Sequence, residues 1–420
     1  MRNEPELNWA GTLEYQAADI VDATTIDEVS SLVAGAERIR ALGTRHSFSD
    51  IADTDALLVT VTEIEPDFVL DDEARTVTVG AGTRYGILAR YLEDNGWALH
   101  NMGSLPHISI AGAIATGTHG SGNGNGVLST AVSALEFVTA DGELRTVRRG
   151  EPGFDGLVVG LGAFGVVVRI TLDIQPSFQV RQDVFRGLPW DVLLDDVEGV
   201  TSLGYSVSVF TDWVEDTIAN FWVKTRLDSG VDVPDEWNGA KRDIVSAGSL
   251  WETSDDNLNE QGGKPGPWLE RLPHFRLDRI PSNGDEIQTE YFVPRSQGGD
   301  ALRAVRALGE KIAPHLIITE LRTAAADDLW LSMAYQRDSL IIHFTWKNEP
   351  DAVLALLPQI EEALAPFEAR PHWGKLNTVD AATLSRLYPR LPEFRALAAE
   401  WDPTGAFRNA ALDRLIFTEE

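Results

Sequence analysis

The chain has 420 residues, of which 43% are hydrophobic and 24% are charged, as in folded proteins rather than disordered ones. A total of 35 Lys and Arg against 65 Asp and Glu gives a formal net charge of -30, which disfavours nucleic acids and anionic membrane surfaces as partners. The absence of cysteine excludes disulfides, thiolate metal ligands and a cysteine nucleophile.

The length exceeds what one hydrophobic core usually fills, so we expect two domains. No run approaches the ~18 apolar residues that a membrane-spanning helix needs. Residues 1–16 also lack the apolar segment of a secretion signal. We therefore expect a cytoplasmic protein that does not engage membranes.

The first part of the chain alternates helical and strand patterns, which indicates an α+β region. Residues 25–39 predict an amphipathic helix that begins at Thr25, with Glu28 three residues later as in a capping box. The alternation of apolar and polar residues predicts the remaining elements. These are strands within 56–64, 76–82 and 135–149, and a helix within 85–99 that begins at residue 85 and is stopped by Gly96.

A long segment rich in Gly, Ser and Thr, residues 101–126, has neither a helical nor a strand pattern. A structureless run of this length is usually a functional loop. Backbone N–H groups beside small residues can form an anion-binding nest, for which a pyrophosphate is a natural ligand. The apolar stretch within it, residues 108–116, is expected to be buried rather than to lie in a flexible surface loop.

Residues 160–165, GLGAFG, fit the G-x-G-x-x-G pattern of dinucleotide-binding proteins. That site requires a helix after the glycines, whereas the following VVVRITLDI is β-branched and predicts a strand. We therefore reject a Rossmann site and expect a tight turn packed against the same cofactor.

After about residue 174 the pattern changes to longer strands rich in Trp and Phe, so a second domain is expected to begin there. Residues 246–273 are rich in turn formers and interrupt these strands. The predicted elements are strands at 205–213, 218–227, 286–295, 315–324 and 339–347, with helices near 300–313 and 350–365.

Polar side chains occupy one face of two of these strands. Glu320 and Arg322 are two residues apart, as are His343 and Thr345, so each pair projects from one side of its strand. Alone, the first pair would be explained as a structural salt bridge and His343 as a core histidine. If the strands pair, the cluster suits a polyhydroxylated ligand, and His372 and Lys375 in RPHWGK add to it.

Other kinds of site find no support in the sequence. The eight histidines show no metal-ligand spacing, so no metal is expected. The G-x-S-x-G elbow of the α/β-hydrolases is also absent. A carbohydrate-binding module that uses the 12 tryptophans without redox chemistry stays an alternative.

Taken together, several motifs in this order closely resemble the alditol (xylitol) oxidases, a group of the vanillyl-alcohol-oxidase-type flavoproteins. They are GTRHSFSD, HNMGSLPHISIAGAIATGTHGSG, LGAFGVV, ELRT, HFTW, RPHWGK and the C-terminal LYPRLPEFRALAAEWDPTGAFRNA. The resemblance implies an FAD-binding domain, residues 1–175 completed by 376–420, and an antiparallel-sheet substrate domain, residues 176–375. HWGK, within RPHWGK, is shared with the sugar-1,4-lactone oxidases, which remain the alternative.

The resemblance also implies roles for individual residues. His46 would be bonded covalently to the 8α-methyl group of FAD. The cofactor would be held by Gly43, Thr44, Arg45, Ser47, Phe48, Ser104, Ser109, Gly112, Thr116, Gly117, Thr118, His119 and His372, with Gly165 and Val166 on the adenosine side. The polyol would be bound by Ser104, Gln288, Glu320, Arg322, Thr345 and Lys375.

The implied reaction oxidises the C1 hydroxyl of an alditol to an aldose, with hydride transfer to flavin N5 and reduction of O₂ to H₂O₂. Glu320, Arg322, His343 and Lys375 are the candidate catalytic residues, with His343 as a possible general base and Arg322 or Lys375 lowering the pKa of the hydroxyl. Gly103 precedes Ser104 where the family often has alanine, which leaves room for O₂. We expect a monomer whose partners are the polyol and O₂.

Overall fold

The structure, a computed structural model, describes residues 6–243, 257–279 and 286–418. It is a mixed α+β fold, as the sequence predicts. The helices are α1 (Ile26–Gly35), α2 (Tyr85–Asp94), α3 (Ile110–Ala115), α4 (Phe154–Val158), α5 (Trp190–Asp195), α6 (Val197–Thr201), α7 (Trp268–Arg271), α8 (Gly298–Arg306), α9 (Gly309–Ile312), α10 (Pro350–Leu364), α11 (Ala381–Leu387), α12 (Leu391–Trp401) and α13 (Ala410–Leu415).

The strands carry most of the framework. They are β1 (Asp19–Asp22), β2 (Ile39–Leu42), β3 (Leu57–Thr60), β4 (Val69–Asp71), β5 (Thr76–Gly80), β6 (Trp97–Ala98), β7 (Val132–Val138), β8 (Leu144–Arg148), β9 (Val166–Asp173), β10 (Gln175–Pro176), β11 (Gln179–Arg186), β12 (Leu188–Pro189), β13 (Ser206–Thr211), β14 (Thr217–Ile218), β15 (Asn220–Arg226), β16 (Glu236–Trp237), β17 (Ala240–Asp243), β18 (Gly266–Pro267), β19 (Glu286–Pro294), β20 (Leu316–Ala324), β21 (Ser339–Lys347) and β22 (Arg370–Pro371).

The N-terminal part contains two sheets. Strands β1, β3 and β2 pair in parallel, and β4, β5, β9, β7 and β8 form an antiparallel sheet in that order. Strand β9 follows residues 160–165 directly, which confirms that the glycines there are followed by a strand. Its side chains alternate between buried and half-buried positions, as expected for a sheet with two different faces.

Two helix ends show how the local sequence sets these boundaries. The Thr25 side chain accepts a hydrogen bond from the Glu28 N–H, which confirms the predicted start of α1. The Glu28 carboxylate reaches back to the N–H of Thr24 rather than to that of Thr25, so the capping box is shifted by one residue. Helix α2 ends before Gly96, whose φ of 79° is easy only for glycine.

The expectation that residues 101–126 contain no regular element is wrong for Ile110–Ala115, which form α3. This helix is short, and its residues Ile110, Ala113 and Ile114 are buried. With no polar residue among its six, it shows none of the contrast between faces on which a helical prediction depends.

The C-terminal half is organised around one large sheet. In the part of the chain that the structure describes, ten strands join in it, and the central order is β13, β20, β21, β19 and β22. All the pairs along this central stretch are antiparallel. The register sets Glu320 opposite His343 and His343 opposite Glu290, so these three side chains form one row on the same face.

The apolar residues gather in two large clusters. One contains residues of the N-terminal half and of the C-terminal helices, such as Ile110 and Phe394. The other contains residues of the large sheet and of the helices packed on it, such as Trp346 and Leu302. Residues 329–334 pack with the first cluster.

The domain boundaries proposed from the sequence stay a prediction. None of the described helices is long and apolar enough to cross a membrane.

Candidate active site

A cavity of about 900 Å³ is lined by residues of all three larger sheets. A volume at the upper end of the usual range for ligand sites suits a ligand much larger than a sugar. We call the part formed by residues 43–48, 109–118 and 160–165 the loop wall. The sheet wall consists of Gln288, Glu290, Glu320, Arg322, His343 and Thr345, together with Lys375.

Almost every site residue predicted from the sequence lines this cavity. The exceptions are Gly117 and Val166. The Val166 side chain is fully buried in the apolar core, and Val167, on the opposite face of β9, lines the cavity instead. Gly117 has a φ of 70°, and a Cβ there would lie 3.1 Å from the Met333 Cε, away from the lining residues. Both residues therefore support the wall from behind.

The turn after β2 presents a series of backbone donors to the cavity. Within the described chain, the N–H groups of residues 44–47 donate no hydrogen bond. Arg45 has a φ of 63°, and a left-handed residue within such a turn is typical of an anion-binding nest. Its guanidinium is held by Glu6. This turn therefore fits the phosphate groups of a dinucleotide.

The nest expected in the Gly-rich loop is only partly available. The N–H groups of Ile110 and Ala111 donate to the carbonyls of Thr83 and Ala81, and the N–H of Ser109 donates to Thr44 Oγ1 at 3.1 Å. The sequence could not show this, because all three acceptors belong to other segments.

The loop wall fits a flat polar ligand at a second point. The Ser109 Oγ is buried and has no hydrogen-bond partner among the described residues. A Cβ on Gly43 would lie 2.7 Å from this oxygen, and one on Gly112 would lie 3.0 Å from it. Because a buried hydroxyl is normally satisfied, its position in the lining indicates that a ligand supplies the missing bond.

His46 is half-buried in the same turn and faces the cavity. Its Nδ1 lies 3.1 Å from Thr44 Oγ1, and the Trp9 indole stacks on its ring with centroids 5.4 Å apart. Burial, assisted by the positive charges of nearby residues, lowers the pKa of His46 to about 4. The imidazole is therefore neutral at neutral pH and keeps a nucleophilic nitrogen.

Residues 160–165 form a turn against the same cavity, as expected. The Arg40 guanidinium is buried beneath this turn and donates to the carbonyls of Leu161 and Gly162 at 2.8 Å each. It also donates to the carbonyls of Ile51 and Phe407, at 2.6 and 2.8 Å. Arg40 thus joins the loop wall to the C-terminal tail through four backbone acceptors.

The sheet wall is charged and largely desolvated. Arg322 donates from Nε to Glu320 Oε1 at 2.6 Å, and its Nη2 contacts Glu320 Oε2 and Ser104 Oγ. Although burial opposes it, Arg322 and His274 hold the pKa of the Glu320 carboxyl well below its usual range. Glu320 is therefore an anion inside the cavity, and both partners of the predicted salt bridge face the ligand space.

His343 lies between two carboxylates and bonds to one of them. Its Nδ1 is 2.6 Å from Glu290 Oε2, and its Nε2 is 3.3 Å from Thr345 Oγ1. Burial lowers the pKa of His343 below its ordinary value despite both carboxylates. The neutral ring donates Nδ1–H to Glu290, so Nε2 keeps its lone pair and faces the cavity.

Lys375 completes the sheet wall. Its Nζ donates to Gln288 Oε1 and lies 4.9 Å from the centroid of the Phe48 ring. Burial lowers the pKa of the Lys375 ammonium. His372, two positions before Gly374, accepts a hydrogen bond from the Gly374 N–H at 3.0 Å, and burial lowers its pKa to about 3.

Several residues of the site escaped the sequence analysis. Glu290 stands two positions after Gln288 in β19, and the alternation that singled out Glu320 and Arg322 could have found it. Glu290 also binds His119, whose Nε2 lies 2.9 Å from Oε1. Trp9, Arg40 and His274 lie in segments where nothing local indicates a ligand.

Comparison with known proteins agrees with this geometry. Residues 17–148 match the family described as FAD binding domain, and residues 283–415 match the family described as D-arabinono-1,4-lactone oxidase. The chain is 45% identical to alditol oxidase from a Streptomyces species over 413 residues, covering 97% of this chain and 98% of the relative.

More distant relatives include sugar-lactone enzymes. The chain is 30% identical to L-gulono-1,4-lactone dehydrogenase from Mycobacterium tuberculosis, with 97% of this chain and 98% of the relative covered. Among solved structures, cholesterol oxidase from Brevibacterium sterolicum has the same fold, with a TM-score of 0.81 at 16% identity, covering 98% of this chain and 96% of that one. The chain therefore belongs to the vanillyl-alcohol-oxidase-type flavoproteins, in the group of FAD-dependent oxidoreductases that includes alditol oxidase.

Proposed function

We propose that this protein is an alditol oxidase, which oxidises the C1 hydroxyl of a linear polyol such as xylitol or sorbitol to the aldose while O₂ is reduced to H₂O₂. The observation that carries the proposal is the row of buried polar side chains on the sheet wall. Carboxylate, guanidinium, hydroxyl, amide and ammonium groups there face one cavity and suit a ligand with a hydroxyl on every carbon. The 45% identity to alditol oxidase supports the same substrate class.

The loop wall would hold FAD. The free N–H groups of residues 44–47 suit its phosphates, and Ser109 Oγ supplies a polar contact beside Gly43 and Gly112. The remaining predicted contacts are Thr116, Thr118, Gly165, His119 and His372, with Gly117 and Val166 as support from behind. Bound FAD supplies the hydride acceptor, N5 of its flavin ring.

His46 is the proposed site of the covalent link to the 8α-methyl group. The support is its position in the turn that carries the free N–H groups, together with a ring that is neutral because its pKa is lowered to about 4. The stacked Trp9 fixes the ring plane. With no cysteine in the chain, a second, cysteinyl link to the flavin is excluded.

The proton of the reacting hydroxyl would pass to His343 Nε2. Glu290 fixes the tautomer by accepting Nδ1–H, so the nitrogen that faces the cavity is the basic one. Arg322 and Lys375 place two positive charges in the same desolvated space, and they would stabilise the negative charge that develops on the substrate oxygen. Glu320, Gln288 and Thr345 would accept or donate hydrogen bonds to the other hydroxyls.

A monomer in the cytoplasm, with a polyol and O₂ as its partners, completes the proposal. The alternative of a carbohydrate-binding module without redox chemistry is disfavoured by the FAD-binding family.

A sugar-1,4-lactone oxidase is the second candidate, because residues 283–415 match a lactone oxidase family. One experiment separates the two. Purified protein is mixed anaerobically with xylitol, sorbitol, gulonolactone or galactonolactone, and the visible flavin spectrum is followed. We expect rapid bleaching with the polyols and slow or no bleaching with the lactones. The opposite order would overturn the proposal in favour of the lactone oxidase.

A further inference from the structure

A chain of buried titratable side chains leads from Glu320 on the sheet wall through His274, which also lines the cavity, into the interior, and the proposed mechanism does not use it. His274 Nε2 lies 2.6 Å from Glu320 Oε1, the same oxygen that accepts a hydrogen bond from Arg322 Nε. His274 Nδ1 lies 3.0 Å from Nζ of Lys224, which projects from β15. Lys224 also donates to the carbonyl of Leu272.

The segment that carries His274 is tied to the site at a second point. The N–H groups of His274 and Phe275 both donate to the Ser104 carbonyl at 3.2 Å. The Ser104 hydroxyl in turn contacts Arg322. Ser104, Arg322, Glu320 and His274 thus form a closed circuit of hydrogen bonds, with Lys224 attached to it from behind.

Lys224 is an unusual residue for a protein interior. It is 1% exposed, beside an apolar cluster that contains Phe210, Trp222 and Leu258. Among the described residues, no carboxylate lies within ion-pair distance of its Nζ, and its connection to Glu320 runs through His274. An isolated buried ammonium is strongly destabilising. Because a nonpolar side chain of similar length would fill the same space, its presence here favours a functional role.

The hydrogen bonds determine the tautomer of His274. The Glu320 carboxylate is an anion and can only accept, so His274 Nε2 carries the proton and donates it to Oε1. The neutral ring holds one proton, so His274 Nδ1 accepts the hydrogen bond from Lys224 Nζ. Burial lowers the pKa of His274 to about 3, so the ring stays neutral in this arrangement. Lys224 therefore influences Glu320 through the hydrogen bonds of His274, without a direct contact between the two side chains.

Two donors occupy Oε1 of Glu320, namely His274 Nε2 and Arg322 Nε, whereas among the described residues Oε2 meets one donor, Arg322 Nη2. We propose that Lys224 and His274 are positioning residues that fix Glu320 as an anion with Oε2 open to a hydroxyl of the substrate. The proposal rests on the polyol oxidation proposed above and adds to it the residues that prepare the carboxylate. Glu320 Oε2 would accept a hydrogen bond from a hydroxyl group of the substrate.

The charge on Glu320 depends on groups from every element packed around it. These are Lys224 on β15, His274 in the segment after α7, Arg322 on β20 itself, and His343 on β21 with Glu290 beyond it. Loss of the His274 donor removes one stabilising contact of the anion, so the pKa of Glu320 rises. Polyol binding would then weaken as the pH falls, whereas in the unaltered protein it stays constant.

The experiment compares Lys224→Met, His274→Leu and His274→Gln, with His315→Gln as the control. Met matches the length of lysine without a donor, and Gln keeps an N–H near the position of Nε2. His315 binds Glu349 at the surface and lies outside the cavity lining. Flavin content is measured first, and then kcat and KM for xylitol between about pH 5 and 8.

We expect the KM of His274→Leu to rise roughly 10-fold to 100-fold, as for loss of a hydrogen bond to a charged group, and to rise further at low pH. Lys224→Met should show the same trend to a smaller extent, whereas His274→Gln and His315→Gln should keep a flat KM profile. If all four variants keep the flat profile, or if His274→Gln behaves as His274→Leu does, the inference is wrong. If unaltered protein is not reduced by xylitol, the proposed function fails instead.

A spectroscopic measurement tests the tautomer without substrate or turnover. Holoprotein labelled with ¹⁵N-histidine is examined by long-range ¹⁵N–¹H correlation, with the His274 signals assigned from His274→Gln. We expect a protonated Nε2 and an unprotonated Nδ1, and a shift towards the other tautomer or a mixture in Lys224→Met. A protonated Nδ1 in the unaltered protein, or spectra unaffected by Lys224→Met, would overturn the inference even if that variant were inactive.

Discussion

The loop wall and the sheet wall of the cavity differ in the groups that they offer to a ligand. The loop wall presents backbone N–H groups, glycines and short hydroxyl side chains, as at residues 44–47 and Ser109. The sheet wall presents long charged side chains that are held by each other, such as Arg322 with Glu320 and His343 with Glu290. The first suits a large fixed cofactor, and the second suits a small substrate that must be polarised.

This difference predicts how each wall responds to mutation. On the sheet wall, removal of one charge leaves its buried partner unpaired, so large losses of catalytic rate are expected. On the loop wall, many backbone contacts would share the binding of the cofactor, so a single side chain is expected to matter less. The substitutions below test this contrast, beginning with the largest expected effect.

Arg322→Met removes the guanidinium that contacts Glu320 and Ser104. We expect kcat/KM for xylitol to fall by about 1,000-fold or more, because a charge that stabilises the developing oxyanion is lost and Glu320 loses its main partner. Flavin content should be unchanged, since Arg322 belongs to the sheet wall. Anaerobic stopped-flow reduction measures the effect, with the exposed Arg303→Met as control. A loss of less than tenfold would contradict the role of Arg322.

His343→Gln removes the proposed base, and we expect kcat to fall about 100-fold. The pKa of His343 is lowered by burial, so in the unaltered protein activity should fall only when the pH drops below the ordinary range of histidine. Glu290→Gln removes a negative charge that favours the protonated ring, so its acidic limb should move to lower pH. Profiles of kcat against pH check both results, and an unchanged acidic limb in His343→Gln would exclude it as the base.

His46→Ala tests the loop wall. We expect the flavin to be released on acid precipitation, whereas it should remain in the pellet of the unaltered protein. Activity should fall only about tenfold, equivalent to about 1.4 kcal/mol in the barrier, because the free N–H groups of residues 44–47 still hold the phosphates. His315→Ala serves as the control. Colour that stays in the pellet of His46→Ala would show that the link lies elsewhere.

Gly103→Ala should have the smallest effect and should be confined to the reaction with O₂. The added Cβ would lie 3.6 Å from Thr118 Cγ2 and 3.7 Å from the His119 carbonyl oxygen, which is ordinary contact distance. We expect normal folding and normal reduction by xylitol, with reoxidation by O₂ slowed several-fold. Gly124→Ala, which meets nothing within 4 Å, is the matched control. Equal reoxidation rates in both variants would show that Gly103 does not govern access of O₂.

Much of the framework could be predicted because it follows from local patterns. The start of α1 at Thr25, the end of α2 before Gly96, and the strand after residues 160–165 all depend on neighbouring residues alone. The face shared by Glu320 and Arg322 follows from the period of a strand. These predictions are confirmed because no distant contact is needed to produce them.

The sequence predictions that were wrong or incomplete have a common cause. At these residues the structure depends on segments that are distant in the chain. Helix α3 lacks a polar face, so only its burial against the rest of the loop wall makes it a helix. Glu290 shows its role only when the register of β19 and β21 sets it opposite His343. Similarly, Ser109, Ile110 and Ala111 have their N–H groups occupied by residues from other segments.

By itself, the sequence determined the α+β class, the family resemblance and the polar faces that carry Glu320 with Arg322 and His343 with Thr345, because motifs and short-range periodicity record them directly. The tertiary structure decided which donors are free and which side chains share a proton. Among the described residues, the N–H groups of residues 44–47 donate no hydrogen bond, His274 is joined to Lys224 and Glu320, and Val167 rather than Val166 lines the cavity. Such assignments depend on register and on contacts between segments far apart in the chain, which no local pattern contains.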